Sequence, residues 1–334
     1  MSVLLTGGLG YIGSHACVSL LEAGEDVIVV DNLSNSKIEV VDALKKITKK
    51  DFKFYQCDVC NYEDTKKIFE ENKIDSIVHF AGFKAVGESV EKPLEYYQNN
   101  LFSMINILRL MKEFDVKNLV FSSSATVYGQ AKSMPIYEDF PTGATNPYGR
   151  TKLYIENMLI DLSKADPSYN IVILRYFNPI GAHHSGLIGE DPNGIPNNLM
   201  PYIVKVATGK LPVLNVFGND YKTPDGTGIR DYIHVEDLAD GHLCALKKCR
   251  ENCGLKIYNL GSGSGYSVLD IVNTFNRVCP QKCNYVFAPR RPGDIDICYA
   301  CIEKAKKELN WTPKHNLAQM CLSSYEFGVK HEKK

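Results

Sequence analysis

The 334 residues include 38 basic and 39 acidic side chains, for a formal net charge of -1 at pH 7, and 44% are hydrophobic. This composition excludes a disordered chain, and the mixing of signs gives no electrostatic footprint for nucleic acid or a membrane surface. The length is enough for one large α/β domain and a smaller second one. No apolar run approaches the roughly 18 residues that argue for a membrane helix. The chain opens on strand-like residues rather than a charged-then-apolar leader, so a cytoplasmic address is expected. Eleven cysteines in such a chain are expected to be reduced thiols. Cys57 with Cys60, and Cys298 with Cys301, have metal-like spacing, but each pair falls at a strand end where alternate side chains point to opposite faces. No metal is expected.

Ser2-Val3-Leu4-Leu5 reads as a buried parallel strand that feeds Thr6-Gly7-Gly8-Leu9-Gly10-Tyr11-Ile12-Gly13. Glycines at 7, 10 and 13 answer three needs: a tight turn, close approach of backbone to a pyrophosphate, and close packing of the next helix on the strand. The unpaired amides of that helix's first turn would face the phosphates. A helix over residues 11–23 ends at Gly24, and a strand over 27–30 closes at Asp31, 18 residues beyond Gly13. An acidic residue there suits the adenine ribose hydroxyls and repels the extra phosphate of NADP, so NAD is the expected cofactor.

The alternation continues with a polar helix near 37–49, a strand over 52–56, a helix over 62–71 and a strand over 76–80. A long helix over 93–114, a strand over 118–122, a helix over 148–165 and a strand over 171–176 complete it. Repeated units of this kind require right-handed crossovers, and so a doubly wound parallel sheet covered on both faces. Ligands lie beyond the carboxyl ends of such strands. Asp31, Asp58, Ala81-Gly82, Ser122-Ser123-Ser124 and Asn178 stand at those ends, with Asp58 placed to meet an adenine amino group. From Asn178 onward the texture changes to loops rich in Pro, Gly and Asn, with helices near 199–208, 235–248, 268–278 and 302–309 and short strands near Val216 and Tyr258. This predicts a smaller mixed α/β lobe that supplies substrate contacts, with a frayed tail over 330–334.

Tyr148 and Lys152 are four apart at the start of a helix and share one face. The spacing alone is weak, but it follows the expected cofactor strand and the serines that end it. Oxidising a carbinol carbon requires a base for the hydroxyl proton. Tyrosine is mostly protonated at pH 7; a neighbouring Lys152 ammonium and a positive nicotinamide ring would favour the phenolate, and Ser124 could bond the same substrate oxygen.

The glycine spacing, Ser124 and Tyr148-x-x-x-Lys152 resemble the extended short-chain dehydrogenase/reductase family, whose core is a Rossmann fold. Four stretches narrow the resemblance to its UDP-hexose 4-epimerases: Phe80-Ala81-Gly82-Phe83-Lys84-Ala85-Val86-Gly87-Glu88-Ser89, Arg175-Tyr176-Phe177-Asn178, Ile195-Pro196-Asn197-Asn198-Leu199-Met200-Pro201-Tyr202, and Gly228-Ile229-Arg230-Asp231-Tyr232-Ile233-His234-Val235. The resemblance runs over nearly the whole chain. It implies reversible inversion at C4 of UDP-glucose and UDP-galactose through a 4-keto sugar, with tightly bound NAD as transient hydride acceptor, in galactose metabolism. It makes Tyr148 the base, Lys152 its activator and Ser124 the partner of the sugar O4.

The cofactor would be held by Gly7, Gly10, Tyr11, Ile12, Gly13, Asp31, Asn32, Asp58, Val59, Phe80, Ala81, Gly82, Lys84, Asn99, Ser122, Tyr148, Lys152 and Tyr176. The UDP-sugar would be held by Lys84, Ser124, Tyr148, Phe177, Asn178, Asn198, Leu199, Val216, Phe217, Arg230, Tyr232, Val268, Arg291, Asp294 and Cys298, both arginines serving the diphosphate or nucleotide side. Residues 1–177 would form the NAD domain, with part of 232–262 packing back onto it, and 178–334 the UDP-sugar lobe. The resemblance further implies a homodimer through the helices near 93–114 and 148–165.

Cys298 stands where relatives carry either a bulky tyrosine or a cysteine. The sugar pocket is then roomy enough for N-acetylated sugars, or Cys298 merely packs. Cys301 replaces an acid common in relatives. A nucleotide-sugar dehydratase would need a carboxylate pair after Ser124, where Ala125-Thr126 stand, and a cofactor-sensing scaffold could dispense with the trio that this chain retains.

Overall fold

The computed structural model describes residues 1–191, 196, 198–291 and 294–332. Its main sheet has seven parallel strands in the order β10-β6-β5-β4-β1-β2-β3. These are β1 (Ser2–Thr6), β2 (Asp26–Asp31), β3 (Lys53–Gln56), β4 (Ile74–His79), β5 (Asn118–Ser124), β6 (Asn170–Tyr176) and β10 (Leu255–Leu260). Helices α1 (Tyr11–Glu22), α2 (Glu39–Thr48), α3 (Tyr62–Glu71), α4 (Val86–Glu91), α5 (Pro93–Glu113), α6 (Pro147–Ala165) and α8 (Val235–Cys249) accompany it. Strands β1, β2, β5 and β6 are almost wholly buried, as expected where helices cover both faces. One apolar layer carries Val3, Leu5, Val29, Val78, Val120 and Leu174; the other carries Leu4, Ile28, Ile77, Leu119, Phe121 and Ile173. Alternate residues of each strand thus feed opposite layers.

The polar ends of these strands fall together because the order reverses between β1 and β4, which opens a crevice above the glycine turn. Two expected strands are longer than the sequence pattern suggests: β5 runs through Ser124 and β2 includes Asp31. Asn146 and Pro147 start α6 sharply; Asn146 Oδ1 accepts the Gly149 N–H at 2.8 Å. Helix α4 was not anticipated from the sequence.

The second lobe holds β7 (Asn178–Ile180), α7 (Leu199–Ala207), β8 (Leu214–Phe217), β9 (Ile229–His234), β11 (Gly265–Ser267), α9 (Val268–Val278), β12 (Tyr285–Ala288), β13 (Ile297–Cys298) and α11 (Leu317–Glu332), while α10 (Glu303–Leu309) packs back on β10 and α8 of the main-sheet domain. Strand β9 is its hub, pairing in parallel with β7 and β13 and antiparallel with β11, while β8 pairs with β12. Asp231, in the middle of β9, is fully buried and accepts N–H bonds from Ser262, Gly263 and Ala300, so one carboxylate gathers three segments. Burial pushes its pKa to about 6. The expected frayed tail is corrected: residues through 332 continue α11, and Lys330 Nζ donates to Ser185 O at 2.8 Å, whereas 333–334 lie outside the described residues. The signal was a reciprocal cap in which Asn316 and Gln319 exchange backbone and side-chain bonds.

Several histidines are buried and neutral. Burial holds His15 and His79 at about 3 and His242 at about 4. These folded values lie below the ordinary 6.5, so the unfolded chain binds protons first and stability falls as pH drops from 6.5 towards 4. Asp231, raised by folding, opposes this between about 6 and 4, as one group against three. Each histidine contributes a loss of about 2 kcal/mol by pH 5. Urea denaturation is expected to show a net loss of several kcal/mol between pH 6.5 and 5, and a flat profile would contradict this reading.

Candidate active site

Gly7 ends β1 with φ +68°, a left-handed turn, and a Cβ there would stand 2.8 Å from the Ala81 backbone nitrogen. At Gly13 a Cβ would lie 2.2 Å from Gly7 O, an impossible contact, so α1 rests directly on the turn. Asp31 steadies the loop from the next strand: its carboxylate accepts the Leu9 and Leu33 N–H groups, each at 3.0 Å, and the Ser36 hydroxyl at 2.7 Å. Above this turn lies a cavity of about 1440 Å³. Of the expected cofactor residues, all but Ser122 line it. A backbone cradle kept bare of Cβ atoms, helix amides and a carboxylate at the second strand fit an adenine dinucleotide.

Ser122 lies beneath the wall. Its carbonyl accepts the Lys152 ammonium at 2.8 Å, and its hydroxyl bonds His242 Nε2 at 2.8 Å. Tyr148 and Lys152 line the cavity from α6, both almost fully buried, and the Ser124 hydroxyl, which accepts from Thr126 Oγ1 at 3.0 Å, lies close enough to the Tyr148 phenol to favour its ionised form. The expected trio is therefore brought together. The expected shift towards the phenolate rests on Lys152 together with a positive nicotinamide ring; the protein groups alone act in the other direction. Burial raises the Tyr148 pKa, with only the Ser124 hydroxyl opposing it, and burial lowers Lys152 to about 8. The ammonium is committed to Ser122 O and lies over the Phe121 ring, 4.9 Å from its centroid. Both groups also lose water, which disfavours either charged form.

The expected substrate residues separate into two sets. Lys84, Tyr148 and Asn198 line the cavity; Glu190 Oε1 accepts from Lys84 at 3.3 Å and Asn198 at 2.6 Å. The second set gathers on the mixed lobe. Asp294 accepts from Arg230 at 2.6 Å and Arg291 at 3.1 Å, and Arg291 lies 5.2 Å from the centroid of the exposed Phe217 ring. Burial raises the Asp294 pKa, but the two arginines outweigh it and hold the carboxyl below its ordinary value. Cys298 pairs in register with Arg230, and burial pushes its thiol up to about 11. Tyr232 and Phe177 are buried, Asn178 is exposed, and Leu199 and Val268 open α7 and α9. Val216 is 1% exposed, so only its backbone can face a ligand. Residues 195 and 197 lie outside the described residues.

Sequence reasoning missed Asn100. Its amide accepts the Phe83 N–H at 2.7 Å and donates to Phe83 O and Thr151 Oγ1, which joins the 82–84 loop to α6. It missed two groups of metal-ligating type, His183-His184-Glu236 and His234-Glu236-His315, because their members are distant in sequence. In the second group His234 Nδ1 accepts the Glu236 N–H, and the His234 and His315 rings stack 22° from parallel. A single ion cannot lie in both ring planes. Cys57 and Cys60 belong to neither group; Cys60 Sγ contacts Asn99 O at 3.4 Å. Cys301 is buried, its N–H bonded to Ile136 O.

Residues 3–261 match the family described as NAD dependent epimerase/dehydratase. The chain is 56% identical over 327 residues to the UDP-glucose 4-epimerase of Bacillus subtilis (strain 168), covering 98% of this chain and 96% of the relative. The chain belongs to the UDP-glucose 4-epimerases of this family. Its fold matches the crystal structure of UDP-glucose 4-epimerase from Bifidobacterium longum in complex with NAD+ and UDP, at TM-score 0.95 and 50% identity over 99% of both chains. The UDP-Glc/GlcNAc 4-epimerase from Campylobacter jejuni matches at TM-score 0.87 and 35% identity, over 98% of this chain and 99% of that one. Membership in the family makes NAD the dinucleotide for the cavity.

Gly13→Ala is expected to abolish co-purified NAD, measured by chromatography of the nucleotide released on denaturation. Retention of wild-type NAD content would show that α1 can move off the turn.

Proposed function

We propose that the chain interconverts UDP-glucose and UDP-galactose by inversion at C4, in galactose metabolism, with NAD held over the glycine turn. The observation that carries this reading is Tyr148 and Lys152, one turn apart on α6, in the wall of the dinucleotide cavity, with Ser124 close to the phenol. NAD bound there supplies the reversible oxidant for the sugar carbon. Ser124 orients the sugar O4 and Tyr148 takes its proton, then returns it once the sugar has presented its other face. Lys152 holds a positive charge beneath the phenol, which offsets the cost of a buried phenolate. By itself the chain keeps Tyr148 protonated, so proton uptake is tied to a loaded site. Arg230 and Arg291, prealigned by Asp294, anchor the diphosphate, and the hexose is held more loosely, so the ketose can turn about its link. In this reading residues 1–177, with α8 and β10, serve the cofactor, and the rest of 178–334 serves the UDP-sugar.

Tyr148→Phe keeps the ring and removes the acid-base group. It is expected to lower kcat on UDP-galactose by about 10²- to 10⁴-fold with NAD still bound. Near-normal turnover would remove Tyr148 from the mechanism.

The sugar pocket is wide enough for an acetamido group at C2. Cys298, the register partner of Arg230, offers a small side chain there, and the structurally similar Campylobacter jejuni protein is a UDP-Glc/GlcNAc 4-epimerase. Cys298→Tyr is expected to abolish turnover of UDP-GalNAc and spare that of UDP-galactose. Equal loss of both, or no activity of the parent on either N-acetyl sugar, would contradict the roomy pocket.

The chain also pairs with a second copy through α5 and α6. Leu94, Phe102, Ile105 and Tyr154 stand exposed on these helices, and Tyr97 and Tyr154 stack at 6.0 Å.

A further inference from the structure

Tyr148, Lys152 and Glu156 recur every four residues along α6 and so face one side of the helix. Glu156 is 1% exposed, yet it is not among the residues that line the cavity. Its carboxylate accepts the Ser123 hydroxyl from β5 and three contacts from Arg175 on β6: two from Nε at 3.1 Å and one from a terminal nitrogen at 2.6 Å. Arg175 is 4% exposed; it also donates to Glu138 O at 3.1 Å, and its guanidinium lies 4.8 Å from the Tyr128 ring centroid. Replacing a buried ion pair with apolar residues is often neutral or stabilising, so stability alone does not account for this one.

Its place along the chain suggests what does. Ser123 sits between Ser122, whose carbonyl holds Lys152, and Ser124, whose hydroxyl lies close to the Tyr148 phenol. One side-chain bond, from Ser123 to Glu156, therefore sets the height of α6 against the strand at the residue flanked by both contacts. Resting on the reading that Tyr148 and Lys152 handle the O4 proton, we propose that Glu156 is a positioning residue for this pair. Its bonds to Ser123 and Arg175 hold α6 in register on β5, and its charge balances the Lys152 ammonium.

The groups around that ammonium support the second part. Helix α6 offers Tyr148 and Glu156; β4 offers His79; β5 offers Phe121 and the Ser122 carbonyl; β6 offers Tyr176; and α8 offers His242 through Ser122. The tyrosines are held protonated and the histidines neutral by burial. Among the described residues, Glu156 is the carboxylate that acts against the burial of Lys152.

The test compares wild type, Glu156→Gln and Ser123→Ala, each with bound NAD measured. Glu156→Gln keeps the size and one oxygen acceptor but removes the charge. It is expected to lower kcat on UDP-galactose about 10- to 100-fold, leave KM within about twofold, and move the alkaline limb of kcat to lower pH. Ser123→Ala leaves the ion pair intact and is expected to lower kcat several-fold with little change in melting temperature. Should Glu156→Gln fail to fold, wild-type kcat and pH profile in Ser123→Ala overturn the proposal; folded Glu156→Gln with an unchanged alkaline limb also overturns it. A second readout separates this inference from the functional reading. The Lys152 ammonium, assigned by its loss in Lys152→Met, is titrated by NMR in wild type and in Glu156→Gln. A lower midpoint in the variant supports the proposal even if wild type turns over no UDP-sugar, and an unchanged midpoint overturns it.

Discussion

Helix α1 rests directly on the turn that ends β1, since Gly13 has no side chain to meet the Gly7 carbonyl. That contact brings the first amides of α1 over the turn and clears a floor for a pyrophosphate. Asp31, bonded to the Leu9 N–H, ties the second strand to the same loop, so cradle and ribose acceptor move as one unit. The reversal of strand order between β1 and β4 then opens the crevice on this side of the sheet. A methyl group at residue 13 would lift the helix, and the cavity would lose its floor before any chemical residue was touched.

The rest of the site is built by exchanging water for fixed partners. Burying Lys152 and Tyr148 disfavours the charge on each; strand β5 supplies a carbonyl from Ser122 and a hydroxyl from Ser124, and α6 itself a carboxylate from Glu156. Three consecutive serines at the end of β5 thus have three different duties, because alternate residues face opposite sides of the strand. The mixed lobe follows the same logic at another charge: Asp294 prealigns two arginines that would otherwise repel, at a site suited to a diphosphate. In the proposed mechanism, firm nucleotide anchoring on one lobe and proton chemistry on the other leave the sugar as the part free to turn.

Much of this was legible in the sequence where backbone constraints left few choices. The glycine turn, the acid closing β2 and the alternating strands could be read because each depends on local chemistry with a fixed spacing. The trio could be read because its spacing coincided with a strand end. The strands of the mixed lobe were largely not legible: β7, β11 and β13 have two or three residues each, too short for a period of two to register. Helix α11 was missed although its Asn316-Gln319 cap marks the start. The roles of Asn100, Glu156 and Asp231 were not legible, since a buried polar residue is recognised by partners distant in sequence. The cost of burying Lys152 and Tyr148 was not legible for a related reason. Proximity could be inferred from spacing, but the loss of water that dominates both groups could not.

The central claim is that the bond broken and remade at C4 belongs to a closed cycle within the site, with Tyr148 handling only the O4 proton. UDP-galactose carrying deuterium at C4, incubated with the purified protein in ordinary water and followed by NMR of the recovered sugars, tests this directly. The account predicts UDP-glucose with deuterium retained at C4. Epimerised sugar carrying solvent hydrogen at C4 would contradict it, since that outcome requires a base at carbon in place of Tyr148 acting at oxygen.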